Sequence, residues 1–212
     1  MVAKRESQWV TYKGISGPGL GKSIVFVSGD EEYRSEEGLP MLAKLLSRKH
    51  GFECTVLFPI NHESGEIDPE TLDNIPGLDS LKNADLMVML LRFRELPDGQ
   101  MAHIIDFVES GKPVIALRTS THAFRYAKNP SSVFAKYDCQ NKDPDFVGGF
   151  GRQILGETWV AHHGEHGVEG TRGLIDSRNV THPVMKGVFD VWGPTDVYAV
   201  GELLGRPSVL VW

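Results

Sequence analysis

Polar residues able to do chemistry fall in four short stretches of the 212-residue chain. Asp30, Glu31, Glu32, Tyr33 and Arg34 form the first, Arg92, Phe93 and Arg94 the second, and Arg118, Thr119, Ser120, Thr121 and His122 the third. The fourth, His162, His163, Gly164, Glu165 and His166, puts three of the eight histidines within five residues. Carboxylates beside guanidiniums suit acid/base work on a hydroxyl or carbonyl, the guanidinium holding developing negative charge. The histidine stretch has three readings: ligation of a divalent metal by His162 and His166 with Glu165 or Glu157 as oxygen ligand, proton transfer or sugar contact, and plain structural use. It is not the zinc-protease HExxH, because Gly164 follows His163 and Glu165 precedes His166. His182, in front of Pro183, reads as a turn residue.

Each stretch also has a bland reading. Asp30 to Glu32, with Ser35, Glu36 and Glu37 behind them, suit a helix N-terminus. Arg92 and Arg94 suit ion pairs with surface carboxylates such as Glu95. Arg118 is harder to dismiss, because it directly follows an apolar strand, where an unpaired guanidinium is costly. Ala116 and Ser120 flank it with the small residues of a nucleophile elbow, yet arginine is no nucleophile. Thr119, Ser120 and Thr121 adjoin His122 too closely to face it on a helix, so a serine-hydrolase reading is disfavoured.

Unbroken apolar runs at Ile24 to Val27, Cys54 to Phe58, Leu86 to Leu91 and Val114 to Leu117 predict parallel strands buried on both faces. Leu39, Leu42, Ala43 and Leu46, ended by Gly51, predict one helix; Met101, Ile104, Ile105 and Val108, between Pro97 and Gly111, predict another. Alternation of strand and helix predicts a doubly wound α/β sheet in three layers. Ligands bind such sheets outside the carboxyl ends of the strands, where the strand order reverses. The first three polar stretches follow the first, third and fourth strands, so a flavodoxin-like 2-1-3-4 order would bring them to one crevice. From Ala127 to Gly170 periodicity is weak, which predicts a functional loop region or lid. Further strands are expected at Gly173 to Ile175, Val197 to Val200 and Ser208 to Trp212.

Hydrophobic residues make up 41% and charged residues 24%, the balance of a globular chain. The net charge of −6, without a Lys/Arg cluster, argues against nucleic acid as a partner. No apolar run approaches the roughly 18 residues of a membrane span, so no membrane partner is expected. Cys54 and Cys139 lack CxxC spacing and read as packed residues. Gly21, Lys22 and Ser23 imitate a P-loop, but Ser16 stands where its first glycine belongs and a strand follows instead of preceding; no ATP or NAD site is expected. One domain over residues 1–212 is predicted, with residues 1–20 as an extended arm. Met1 to Pro18 lacks the apolar core of a signal peptide, which predicts a cytoplasmic protein, or a secreted or periplasmic one if the start is incomplete. The apolar end at Trp212 suggests a missing C-terminal segment.

The stretches VSGDEEYRSEEGLPMLAKLL, LRFRELPDGQM, PVIALRTSTHAF, GGFGRQILGETWVAHHGEHG, THPVMKGV and WGPTDVY together resemble the ThuA-like, or trehalose-utilisation, domain family, most closely a bacterial branch. The resemblance spans about Gly21 to Val200. It implies a class I glutamine amidotransferase-like fold and an association with disaccharide and keto-sugar metabolism. Amidotransferase relatives carry a catalytic Cys at the elbow, and trehalose-utilisation members often a His; Arg118 departs from both, so glutaminase activity is not carried over. Members usually continue past the point where this chain stops.

The expected function is therefore action on a sugar or keto-sugar as an isomerase, lyase or hydrolase, by acid/base chemistry without a covalent nucleophile. Asp30 or Glu31 would orient or deprotonate a hydroxyl, Arg118 and Arg92 would polarise a carbonyl, and His163 or His166 would relay a proton or hold a metal. Tyr33, Arg34, Arg94, Thr119, Ser120 and His122 would contact the ligand. The alternative is a catalytically inert carbohydrate-binding or interaction domain on the same scaffold. A divalent metal and a homo-oligomer both stay open.

Overall fold

Hydrophobic runs that alternate between two buried faces leave room for helices above and below. The computed structural model, which describes residues 8–211, builds one sheet from β1 (Trp9–Tyr12), β2 (Ser23–Gly29), β3 (Glu53–Leu57), β4 (Leu86–Leu91) and β5 (Val114–Ala116). The lateral order is β1-β3-β2-β4-β5. The four predicted strands thus lie in 2-1-3-4 order, all parallel. Ile24, Phe26, Val56 and Val88 pack with Leu39 and Ala43 on one side; Val25, Val27, Met87 and Met89 pack with Met101, Ile104 and Phe107 on the other. These clusters place α1 (Ser35–His50) and α2 (Asp98–Glu109) against opposite faces of a mixed, mostly parallel sheet.

Charge and capping agree with the helix limits. Glu36 and Glu37 lie in the first turn of α1 and Arg48, Lys49 and His50 in its last, matching the helix dipole at both ends. Gly51 closes the helix at φ 82°, its N–H donating to the Ser47 carbonyl at 3.0 Å. No helix among the described residues is long and apolar enough to cross a membrane.

Several expectations need correction. The strand expected at Gly173 to Ile175 lies instead at Thr171–Gly173, where it can pair with Val191–Gly193. Within the predicted N-terminal arm, Trp9–Tyr12 pairs antiparallel with β3 as an edge strand; residues 1–7 lie outside the described residues. Val114 to Leu117 was expected to be buried on both faces, but β5 is the opposite edge and Ile115 is 48% exposed there. The chain from Ser208 to Val211 forms no strand: its one ladder contact is an isolated bridge between Val211 and Ile175, and Trp212 lies outside the described residues. Ile175 lies past the end of the short strand Thr171–Gly173, so the run meets a single bridging residue there and not a strand.

The second half adds two small antiparallel ribbons. β6 (Trp159–His163) pairs with β9 (Val197–Val200), and β7 (Thr171–Gly173) with β8 (Val191–Gly193). Between β5 and β6 the chain runs through short helical turns; β6 itself falls within Ala127 to Gly170, where no strand was expected.

Gly51 offers a test of how closely the first loop approaches α1. A Cβ there would lie 2.5 Å from the Ser16 carbonyl oxygen, whereas Gly65, at φ 72°, has open space around it. Gly65→Ala should cost about 1 kcal/mol, the left-handed backbone alone. Gly51→Ala should cost at least about 1 kcal/mol more, because backbone must move. Urea unfolding of both variants checks this; equal losses would mean that the approach at Gly51 is easily relieved.

Candidate functional site

The three polar loops after β2, β4 and β5 carry an unusual backbone signature. The non-glycine residues with positive φ among the described residues are Arg34 (52°), Phe93 (50°) and Arg118 (39°), one in each loop. Left-handed backbone costs a side-chain-bearing residue on the order of 1–2 kcal/mol, and such strain concentrates where side chains must be aimed. Arg118, at the expected elbow position, is thus held in left-handed backbone.

Several expected site residues turn out to frame the crevice. Asp30 is fully buried; its Oδ1 accepts the N–H groups of Glu32 (2.7 Å) and Tyr33 (2.8 Å), and its Oδ2 accepts the Thr119 hydroxyl. This carboxylate ties the first loop to the third and has no free face for a substrate hydroxyl. Ser120 Oγ donates to the Met89 carbonyl at 3.1 Å and accepts the Leu91 N–H at 3.2 Å, fastening the third loop to β4. Arg94, also fully buried, donates to the carbonyls of Arg92, Pro69 and Thr71 and to Glu31 Oε2, leaving nothing for a ligand. Burial lowers its pKa, opposed by Glu31 and Asp30. Glu31 also pairs with Arg92, which reaches Glu32 Oε2 at 3.0 Å. Arg34 stands at the start of α1 and pairs on the surface with Glu37.

The chemistry gathers instead around a residue the sequence reading passed over. Asp196, in the turn between β8 and β9, is fully buried. Its Oδ1 accepts from Arg118 Nη2 (3.1 Å) and faces His166 Nδ1 (2.9 Å); its Oδ2 faces His162 Nδ1 (2.6 Å). Burial pushes this carboxyl's pKa up, but the two imidazoles and the Thr195 hydroxyl outweigh it and hold the group well below the ordinary carboxylate range. Arg118 Nη1 donates to the Asp196 carbonyl at 2.7 Å, and Nη2 to Tyr33 Oη at 2.9 Å. The guanidinium carbon lies 4.9 Å from the Tyr33 ring centre and 4.1 Å from that of Tyr198, a cation between two π faces. His166 Nε2 contacts Glu32 Oε1 at 3.0 Å.

Of the histidine stretch, then, His162 and His166 join the site and their rings lie 4.6 Å apart. His163, the next residue after His162 on β6, faces the other side of the strand and is exposed. Neither Glu165 nor Glu157 belongs to the metal-competent group His162, His166 and Asp196, whose donor atoms lie within 4.8 Å of one another. The sequence pattern that held Asp196, WGPTDVY, was visible; what hid its role was the distance along the chain from the histidines. Tyr198 and Trp159 were missed for the same reason, since aromatic residues on short strands read as core.

His122 sits behind this group among Phe93, Trp159 and Tyr198, with ring centres at 5.0, 5.2 and 5.7 Å. Burial, reinforced by the charges of Arg92, His162 and Arg118, lowers its pKa to about 4. Burial likewise raises the Tyr198 hydroxyl, Arg118 opposing it. Both cysteines are free, and burial raises their thiols to about 11 for Cys54 and about 12 for Cys139, so neither is a ready thiolate.

Some of the cavities of the chain lie apart from the strand-end loops. A groove of about 420 Å³ runs along β1 between Trp9, Phe58, Ile60 and Ile67, with Glu66 its one charged lining residue. The left-handed loops, the buried carboxylate and the imidazoles coincide instead in the crevice outside β2, β4 and β5. Five buried side-chain polar atoms make no hydrogen bond among the described residues. Two are N–H donors of this crevice, Arg118 Nε and Trp159 Nε1, while a third, Arg92 Nε, has the Glu32 carboxylate as its ion-pair partner. Orphaned donors call for an acceptor-bearing ligand or water.

The neutral His122 makes stability depend on pH. Between about 4 and the ordinary 6.5 the unfolded chain takes up this proton and the folded one does not. Its contribution is therefore complete above pH 6.5 and lost as pH falls towards 4, by roughly 3 kcal/mol across the window. His122→Phe, which keeps a ring in place, should flatten that slope relative to the unsubstituted protein in urea melts at pH 7 and pH 5. Parallel slopes would show that His122 charges freely in the folded state.

No protein-family model, no curated protein and no solved structure matches this chain, so the reading of the site rests on its chemistry.

Proposed function

We propose that the crevice outside β2, β4 and β5 acts on a sugar or keto-sugar by acid/base chemistry, without a covalent nucleophile. The observation that carries this reading is the pair of buried N–H donors without a partner among the described residues, Arg118 Nε and Trp159 Nε1, which an oxygen-bearing ligand would satisfy. Tyr33, Tyr198 and Trp159 add flat apolar faces suited to the C–H surface of a pyranose ring. The 2-1-3-4 strand order and the strained elbow are also what a flavodoxin-like, class I amidotransferase-like scaffold would have, and agree with the likeness to ThuA-like proteins.

In this reading Arg118 polarises a carbonyl and holds the negative charge that develops when a neighbouring C–H proton is removed. His162, its Nδ1 braced by Asp196, accepts that proton at Nε2 and returns it at the adjacent carbon or to a departing hydroxyl, giving isomerisation or elimination. Asp30 and Thr119 position the loops and take no proton. An inert carbohydrate-binding domain would use the same donors and surfaces but return its ligand unchanged.

NMR-monitored incubation with trehalose, glucosides and their 3-keto derivatives separates the two. A new product from a keto-sugar is the expected outcome, with Arg118→Ala lowering turnover at least about tenfold. Ligand line broadening without a product would favour the binding domain, and neither effect would sink the sugar reading.

A further inference from the structure

Two imidazoles aim the same ring nitrogen at the two oxygens of one buried carboxylate. His162 Nδ1 lies 2.6 Å from Asp196 Oδ2 and His166 Nδ1 2.9 Å from Oδ1. As hydrogen bonds alone, both contacts require Nδ1–H donors, and His166 must also donate Nε2–H to Glu32 at 3.0 Å. That occupancy requires a doubly protonated His166 between two carboxylates, sharing Oδ1 with Arg118. A second occupancy needs no charged ring. With Nε2–H given to Glu32, the neutral His166 ring presents a lone pair at Nδ1, and His162 does the same beside it. A carboxylate fixing the remote N–H of an imidazole is the arrangement that orients metal-ligating histidines.

Charge balance agrees. Asp30, Glu31, Glu32 and Asp196 outnumber Arg92, Arg94 and Arg118 in the crevice by one, so a cation is favoured. His162 and His166 are only partly covered, their side chains 34% and 41% exposed, which leaves a path for an ion and open coordination positions. We propose that His162 Nδ1, His166 Nδ1 and the Asp196 carboxylate bind a divalent transition metal of the zinc, manganese or iron class, with Glu32 as the positioning residue on His166. Two nitrogens and one oxygen suit these metals, whereas calcium and magnesium prefer oxygen alone. Metal donors sit about 3 Å or more apart around bonds of about 2.1 Å, so the two side chains would open by roughly half an ångström on loading. The bound ion would supply a second electrophile beside Arg118.

This inference does not depend on the sugar reading. Chelator-treated, desalted protein is titrated with Zn²⁺ or Mn²⁺ by calorimetry and with Co²⁺ by visible absorption, with no sugar present. One equivalent should bind, and Co²⁺ should show d–d bands distinct from those of the aqueous ion. His162→Ala and His166→Ala should each weaken binding at least about 100-fold, Glu32→Gln by about 10- to 100-fold, and His103→Ala on α2 not at all. Glu32→Gln keeps the test open should a histidine variant fail to fold, as judged by circular dichroism. Binding no tighter than millimolar for all three metals, or equal binding by wild type, His162→Ala and His166→Ala, overturns the proposal. Sugar turnover by the metal-free protein without metal uptake would remove the metal and keep the sugar reading; stoichiometric metal uptake without turnover would do the reverse.

Discussion

A buried carboxylate must be paired, and the pairing of Asp196 joins the two halves of this chain. Asp196 belongs to the turn before β9, Arg118 to the loop after β5, His162 to β6, and His166 to the turn beyond it. Removing the charge from water is unfavourable unless all four groups meet. Meeting there obliges the β6–β9 ribbon to lie across the strand ends. Tyr33, reached by the same guanidinium, brings the first loop into the arrangement. Docking of the late ribbons and assembly of the site are therefore one event, and a substitution at Asp196 would disturb both.

The strained loops are held by the same economy of contacts. Phe93 and Arg94, at the end of β4, donate their N–H groups to the carbonyls of His122 and Ala123, so the second and third loops are stitched together through backbone. The fully buried Arg94 guanidinium extends that stitching to Pro69 and Thr71, and so to the long connection after β3. A lysine could not make these divergent bonds, because its ammonium is a point charge without the planar fork. The left-handed conformations of Phe93 and Arg118 persist because the surroundings over-determine them. What the loops lose in backbone freedom they return as fixed directions for Arg92 and Arg118.

The central sheet was legible in the sequence because a strand buried on both faces leaves an unbroken apolar run, and Gly51 and Pro97 mark helix limits through backbone chemistry alone. β1 was not legible: Trp9–Tyr12 covers an edge, alternates in burial and has no long run. The ribbons β6 to β9 were only partly so, since three- to five-residue strands contribute too few positions to set a period. For the site, the strand-end rule located the three loops, but not the division of labour within them. Asp30 and Arg94 look like reactive groups in a sequence and act as fasteners in space, a distinction made only by counting their hydrogen-bond partners. Asp196 escaped notice because a lone carboxylate in a turn has no local signal; its partners lie 30 and 34 positions away.

An arginine at the elbow changes what the crevice can respond to. A cysteine or histidine there would alter its charge near neutrality, whereas a guanidinium stays charged throughout the physiological range. Its flanking tyrosines reinforce this: their π faces favour the cation, and burial of Tyr198 keeps that hydroxyl protonated beside it. His122, one turn further on, is kept neutral by burial and by the very charges of Arg92 and Arg118. The elbow thus presents a constant positive charge with no competing cation from its own loop. In the proposed reading a ligand seated there brings an electron-rich oxygen, and changes of charge state fall to the opposite wall, where His162 and His166 face Asp196.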